Sequence, residues 1–108
     1  MPTPTNVVHL NLSVAKAREI LHEVAKDSAR VFFSPHAEKQ MRKRRINRVQ
    51  VLRCLANGQI KEGPACGIKG NWELAVEALS AGDVLHVAAA LDQDDHGNYV
   101  IIITAYYL

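Results

Sequence analysis

Residues 72–108, WELAVEALSAGDVLHVAAALDQDDHGNYVIIITAYYL, decide the fold. Here apolar side chains recur at every second position, the period of a strand, and not at every third or fourth. Three stretches, WELAVEALS, VLHVAAAL and YVIIITAYYL, read as strands. Ala81-Gly82 makes a tight turn between the first two, and Asp92 to Asn98 a longer polar loop between the second and third. The last strand begins apolar on both faces, which suits a central position. Toward its end Thr104 and Tyr106 share a face. They either line a wet cleft or are sheet residues with satisfied hydroxyls.

Working back from there, Gln59–Glu62 reads as a short strand and GPACGIKGN (63–71) as a turn-rich loop. Before residue 59 the period is helical. Ser13 caps a helix over about 13–27, with Val14, Ala17, Ile20, Leu21, Val24 and Ala25 on one face and His22 on the polar side. Val31-Phe32-Phe33 is a short apolar run. Ser34 as cap and Pro35 at the first position start a second helix over about 35–44, with Ala37 and Met41 inward. Asn47, with Gln50 three residues on, starts a third helix, whose inward stripe is Val49, Leu52, Leu55 and Ala56 and whose end is Asn57-Gly58. Gly58 is available there for a left-handed cap. Helices followed by an antiparallel meander predict an α+β fold, with N-terminal helices packed on one face of a four-stranded antiparallel sheet. The expected organisation is one domain over 13–108 behind a loose tail over 1–12.

The composition, 48% hydrophobic and 22% charged, is that of a globular domain. No apolar run reaches the length of a membrane span, and MPTPTNVVHLNLS lacks the pattern of an export signal. A cytoplasmic protein with no membrane partner is expected. The two cysteines, Cys54 and Cys66, are too few for a disulfide framework, and Cys54 sits in an apolar pattern as a buried thiol. His9, His22, His36, His86 and His96 are scattered, with no HxxxH or CxxC spacing, so no metal or other cofactor is expected. GPACGIKGN lacks the order of a P-loop.

The charge is uneven. The chain is only +2 overall. Yet SPHAEKQMRKRRINR (34–48) carries Lys39, Arg42, Lys43, Arg44, Arg45 and Arg48 against the single acid Glu38. Such a stripe suits an anion, nucleic acid first among them, and equally a solvated helix face. Within the second helix His36, Gln40 and Arg44 stack at four-residue spacing. A helix-turn-helix is a lesser alternative, because the mostly apolar RVQVLRCLANG offers few side chains to base edges.

Phe33-Ser34-x-His36-Ala37-x-x-x-Met41-x-x-Arg44-x-Ile46, then Val51 and Gly58, then a final strand with Thr104 and Tyr106, form a recognisable frame. It resembles the bacterial domain-of-unknown-function family 4258 over about residues 31–107. That family looks like a branch of the RelE-like toxin nucleases. The resemblance implies helices over a four-stranded antiparallel sheet, an endoribonuclease toxin acting on RNA, free or on the ribosome, and a cognate antitoxin as partner. One departure is Gln40, where the family usually has Arg; Lys39 or Arg42 would then supply the charge.

Metal-independent RNA cleavage needs a base for the 2′-hydroxyl, an acid for the leaving 5′-oxygen and a cation for the phosphorane. His36 and His86 are the candidate acid/base pair and Arg44 the phosphate clamp. Tyr106 is a further catalytic candidate that binds phosphate or donates a proton. Lys39, Arg42, Lys43, Arg45, Arg48, Lys69 and Thr104 are candidate RNA contacts. Each has a plainer reading: His36 as a helix brace, Arg44 as a clamp between helix and sheet, His86 as a satisfied sheet histidine. Trp72 reads as core or sheet edge, with base stacking as the alternative. Against the ribonuclease stand a non-catalytic RNA- or ribosome-binding module and a protein-interaction domain whose basic helix docks an acidic antitoxin segment.

Overall fold

The structure, a computed structural model, describes residues 12–108. The expected tail therefore lies outside the described residues except for Leu12, which packs against the core, and His9 lies outside with it. The chain runs α1 (Val14–Ala25), a 3-10 turn (Ser28–Arg30), β1 (Val31–Phe33), α2 (Pro35–Arg44), α3 (Arg48–Asn57), β2 (Gln59–Cys66), β3 (Trp72–Ser80), β4 (Asp83–Asp94) and β5 (Gly97–Tyr107). The fold is α+β. Its sheet, however, has five strands in the order β1-β5-β4-β3-β2, and it is mixed. The expected four-stranded antiparallel sheet is corrected by β1, which pairs parallel with β5 through Val31↔Val100, Phe32↔Ile101 and Phe33↔Ile102.

The helix starts follow their caps. Ser13 Oγ accepts from the Lys16 amide, Ser34 Oγ from Ala37, and Asn47 with Gln50 forms a full capping box. Of their ends, α2 and α3 finish at Arg44 and Asn57 as expected, and α1 finishes short of residue 27. α1 stops at Ala25, because Asp27 caps the following 3-10 turn by accepting from the Ala29 amide. α2 is ended by Arg45 in the left-handed region at φ 58°. Gly58 is not a left-handed cap: its φ is −78°. It is needed for space instead. A Cβ there would meet Cys54 O at 2.5 Å, Val76 Cγ1 at 2.6 Å and Glu77 O at 2.7 Å, so a bare Cα lets α3 end directly on β3.

β3 runs over Trp72–Ser80 as the sequence indicated, and β2, β4 and β5 are longer. β2 continues through Pro64 to Cys66, with register breaks between Ile60 and Glu62 and again before Ala65. The expected loop from 63 shrinks to 67–71. Asp94 pairs with Gly97, so the second hairpin turns on Asp95-His96 and not on a long loop.

One face of the sheet carries the core. Leu74, Val76, Leu85, Val87, Ala89, Leu91, Val100, Ile102 and Ala105 pack there with Ala17, Leu21 and Val24 of α1, Ala37 and Met41 of α2, and Val51, Cys54 and Leu55 of α3. Val49, expected inward, is 53% exposed, because α3 turns Val51 inward in its place. His22 is exposed, yet its Nδ1 lies 3.1 Å from the carbonyl of Ala56. Trp72 is partly buried against the core.

Candidate functional site

Among the described residues no core helix packs on the other sheet face, which carries Glu77, His86 and Tyr106. Its geometry depends on two turns. In the first, Ala81 and Gly82 both have positive φ, 54° and 89°, which makes a two-residue hairpin pairing Ser80 with Asp83. Counting outward from that turn, Glu77 must face His86, and it does. The second determinant is a bulge. Ala88 pairs with Thr104 but Ala89 with Ile102, so Ile103 is an extra residue in β5. Without it Thr104 and Tyr106 would share the core face with Val100 and Ile102. With it, Ala105 and Tyr107 go inward and Tyr106 stands on the open face beside His86.

The result is a row across three strands: Glu77, His86 and Tyr106. His86 Nδ1 lies 2.8 Å from Glu77 Oε2, and the two side chains are only 8% and 18% exposed. The His86 ring stacks on Tyr106, with centroids 4.8 Å apart and planes at 24°. An ionised carboxylate only accepts, so the pair with Glu77 places the proton on Nδ1 and leaves Nε2 as the free acceptor. Nε2 makes no hydrogen bond with the described residues.

Arg44 completes the row from the side. Its guanidinium carbon lies 5.9 Å from the Tyr106 ring centre, and its Nε donates to Gln40 Oε1 at 3.2 Å. Gln40 thus orients Arg44 by accepting its Nε–H, which an arginine at position 40, having donors only, could not do. α2 is placed for this by Ser34. Its amide donates to Ile102 O at 3.1 Å and its hydroxyl to Ile103 O at 3.2 Å, so the helix begins where β1 ends and covers the rest of the β5 edge.

The structure thus brings Arg44, His86 and Tyr106 together and adds Glu77, which sequence reasoning missed. Glu77 looked like an ordinary solvent-facing strand residue; only the two-residue hairpin count pairs it with His86. His36 is exposed in the first turn of α2 and has no hydrogen bond to this row. Thr104 lies on the open face one pair along, opposite Ala88. Lys69 lies in the loop beyond the far end of β3, whose first residue, Trp72, is about 16 Å along the strand from Glu77, away from the row.

The basic residues separate by helical angle. Lys43 and Arg44 fall on the same side of α2 as His36 and Gln40. Arg42 falls on the other side. There it lines a groove of about 450 Å³ with Glu38, Met41, Ile46, Asn47, Arg48 and Val49, and Arg48 pairs with Glu38 at 2.9 Å. Arg48 also lies over Phe33, 4.6 Å from its ring centre. Lys39 and Arg45 are exposed. No three His, Cys, Asp or Glu side chains converge as a metal site among the described residues. No helix among them is long and apolar enough to cross a membrane.

No curated protein and no solved structure matches the chain. A family model does, over residues 33–107, which takes in α2, α3 and β2 to β5 with the whole Arg44–Tyr106–His86–Glu77 row. The chain belongs to the family described as Domain of unknown function (DUF4258).

Proposed function

We propose that the protein is an endoribonuclease that cleaves RNA by attack of the 2′-hydroxyl on the adjacent phosphorus. The single observation that carries this reading is the row Glu77–His86–Tyr106 with Arg44 beside it. In it, Glu77 holds His86 with Nε2 outward, and Nε2 takes the proton of the 2′-hydroxyl. The 2′-oxygen bonds to phosphorus and the bond to the 5′-oxygen breaks, leaving a 2′,3′-cyclic phosphate. Tyr106 gives its hydroxyl proton to the departing oxygen. Arg44 spreads its guanidinium over the phosphorane oxygens. These four groups supply base, acid and cation, so the step is written without a metal. A toxin role, an antitoxin partner and a ribosomal setting are supported by the family resemblance alone.

The test is cleavage of end-labelled RNA in excess EDTA, with and without translating ribosomes. His86→Ala and Arg44→Ala are expected to lose at least about 100-fold in rate, as is usual for removed acid/base and charge-stabilising groups. Glu77→Gln is expected to fall less and to shift the pH–rate profile, because it acts through His86. Wild-type rates in folded His86→Ala would sink the assignment. The second reading is a non-catalytic binding module. It is favoured by the groove between α2 and α3, which is lined by Arg42 and Arg48 and does not include His86. Binding of RNA by the wild type without cleavage in either setting would support it.

A further inference from the structure

The open face has a second unusual feature at its other end. Phe32 is 47% exposed, although it sits in a strand. Its register with Ile101, which in turn faces Ala90, puts it on the same face as His86. It is not loose. Tyr99 meets its ring edge-on, with centroids 5.7 Å apart at 86°. Tyr99 is itself held, with its hydroxyl 3.4 Å from Asp92 Oδ2 and the Arg30 guanidinium 5.6 Å from its ring centre. Arg30 is locked by Asp94 Oδ1 at 2.7 Å and by the carbonyls of Gly97 and Asn98. At this end Arg30 is paired with Asp94, Asp92 is held by the Tyr99 hydroxyl, and Asp95 is exposed, so an outward-facing aromatic ring sits beside a net acidic group of side chains.

The two ends are joined by α2. From the Ala90 row to the His86 row is four residues of β4, about 13 Å. The ten residues of α2 span about 15 Å. The helix starts two residues after Phe33 and ends with Arg44 at Tyr106. His36, Lys43 and Arg44 lie on its side toward the open face. Across that face the acids Glu62 and Glu73 are exposed, and they repel a phosphate backbone toward α2. The side chains between are small, Ala75, Ala88 and Ala90, and lie below the larger side chains around them.

We propose that the open face along α2 is a track for single-stranded RNA and that Phe32 is a nucleobase-stacking platform at its far end. The backbone passes His36 and Lys43, and a base a few nucleotides from the reacting phosphate stacks on Phe32. This rests on the RNA reading of the Arg44–Tyr106–His86–Glu77 row, and it gives His36 a backbone contact in place of an acid/base role.

The test separates binding from cleavage. Binding is measured by fluorescence anisotropy with a 2′-O-methyl octanucleotide, which cannot be cut, and cleavage with an unmodified dinucleotide. Phe32→Ala is expected to weaken octanucleotide binding roughly 5- to 100-fold, the range for losing one stacked base, and to leave dinucleotide cleavage unchanged. Phe32→Trp restores binding and Phe32→Leu does not. Thermal unfolding checks that all three variants fold. Wild-type binding in Phe32→Ala or in Phe32→Leu overturns the platform. So does an equal loss on both substrates. A parent that binds the modified octanucleotide but cuts neither the dinucleotide nor an unmodified octanucleotide defeats the cleavage reading and leaves the track standing. A parent that binds nothing defeats both.

Discussion

At the scale of single residues, Glu77 acts on both faces of the sheet. On the open face its carboxylate holds His86. Through the sheet its charge, with burial as the larger cause, pushes the Cys54 thiol up to about 12 from an ordinary 9.0. Cys54 Sγ meanwhile lies 3.6 Å from Val76 O and 3.8 Å from Leu85 O. Cys66 is exposed. With a disulfide thiol reagent at pH 8, one thiol per chain is expected to react in the native protein and two after denaturation; rapid native reaction of both would refute the burial. The sign of the linkage follows. The folded thiol stays neutral, so no stability is lost below about pH 9, and it is lost progressively between about 9 and 12 as the unfolded thiol ionises. Of the candidate site, Arg44 and Tyr106 were legible from the family frame and His86 from its odd place in an apolar strand. Glu77 was not, because a glutamate alternating with apolar residues is what any half-exposed strand shows. Gln40, read as a missing charge, holds Arg44 in place.

At the scale of elements, legibility followed local chemistry. The starts of α2 and α3 were readable because Ser34-Pro35 and Asn47 with Gln50 satisfy their own amides within one turn. β1 was not readable. Three residues carry no period, and their partner on β5 lies 69 positions away in the chain. The bulge at Ile103 left no mark in YVIIITAYYL, since a run of apolar residues hides a slip of one position. Gly58 serves close packing and not a left-handed cap, and the difference is measurable. Were it a left-handed cap, alanine would suffer only from φ. With backbone oxygens at 2.5 and 2.7 Å from the added carbon, Gly58→Ala must push α3 off β3. A loss of about 1–3 kcal/mol is expected, in the range of overpacked sites, seen as a lower urea midpoint. An unchanged midpoint would mean that the α3–β3 junction yields freely.

At the scale of the molecule, a net charge of +2 conceals a division. The flank along α2 is basic and the β2–β3 flank carries Glu62, Glu73 and Glu77. Under the proposed function only cations beside the open face meet phosphate. Lys43→Ala is therefore expected to lower the slope of log affinity against log salt for single-stranded RNA by about 0.7, while Arg53→Ala, on α3, leaves it unchanged. Equal effects from both would indicate diffuse attraction to the whole surface. α2 is fastened to β5 at both ends, at its start by the Ser34 hydrogen bonds and at its finish by Arg44 over Tyr106. It is a strut with both feet on one beam. Such a member works as a gauge: whatever is gripped at one foot is presented at a set length to the other, so the covalent length of one helix sets the interval between where a strand is held and where it would be cut.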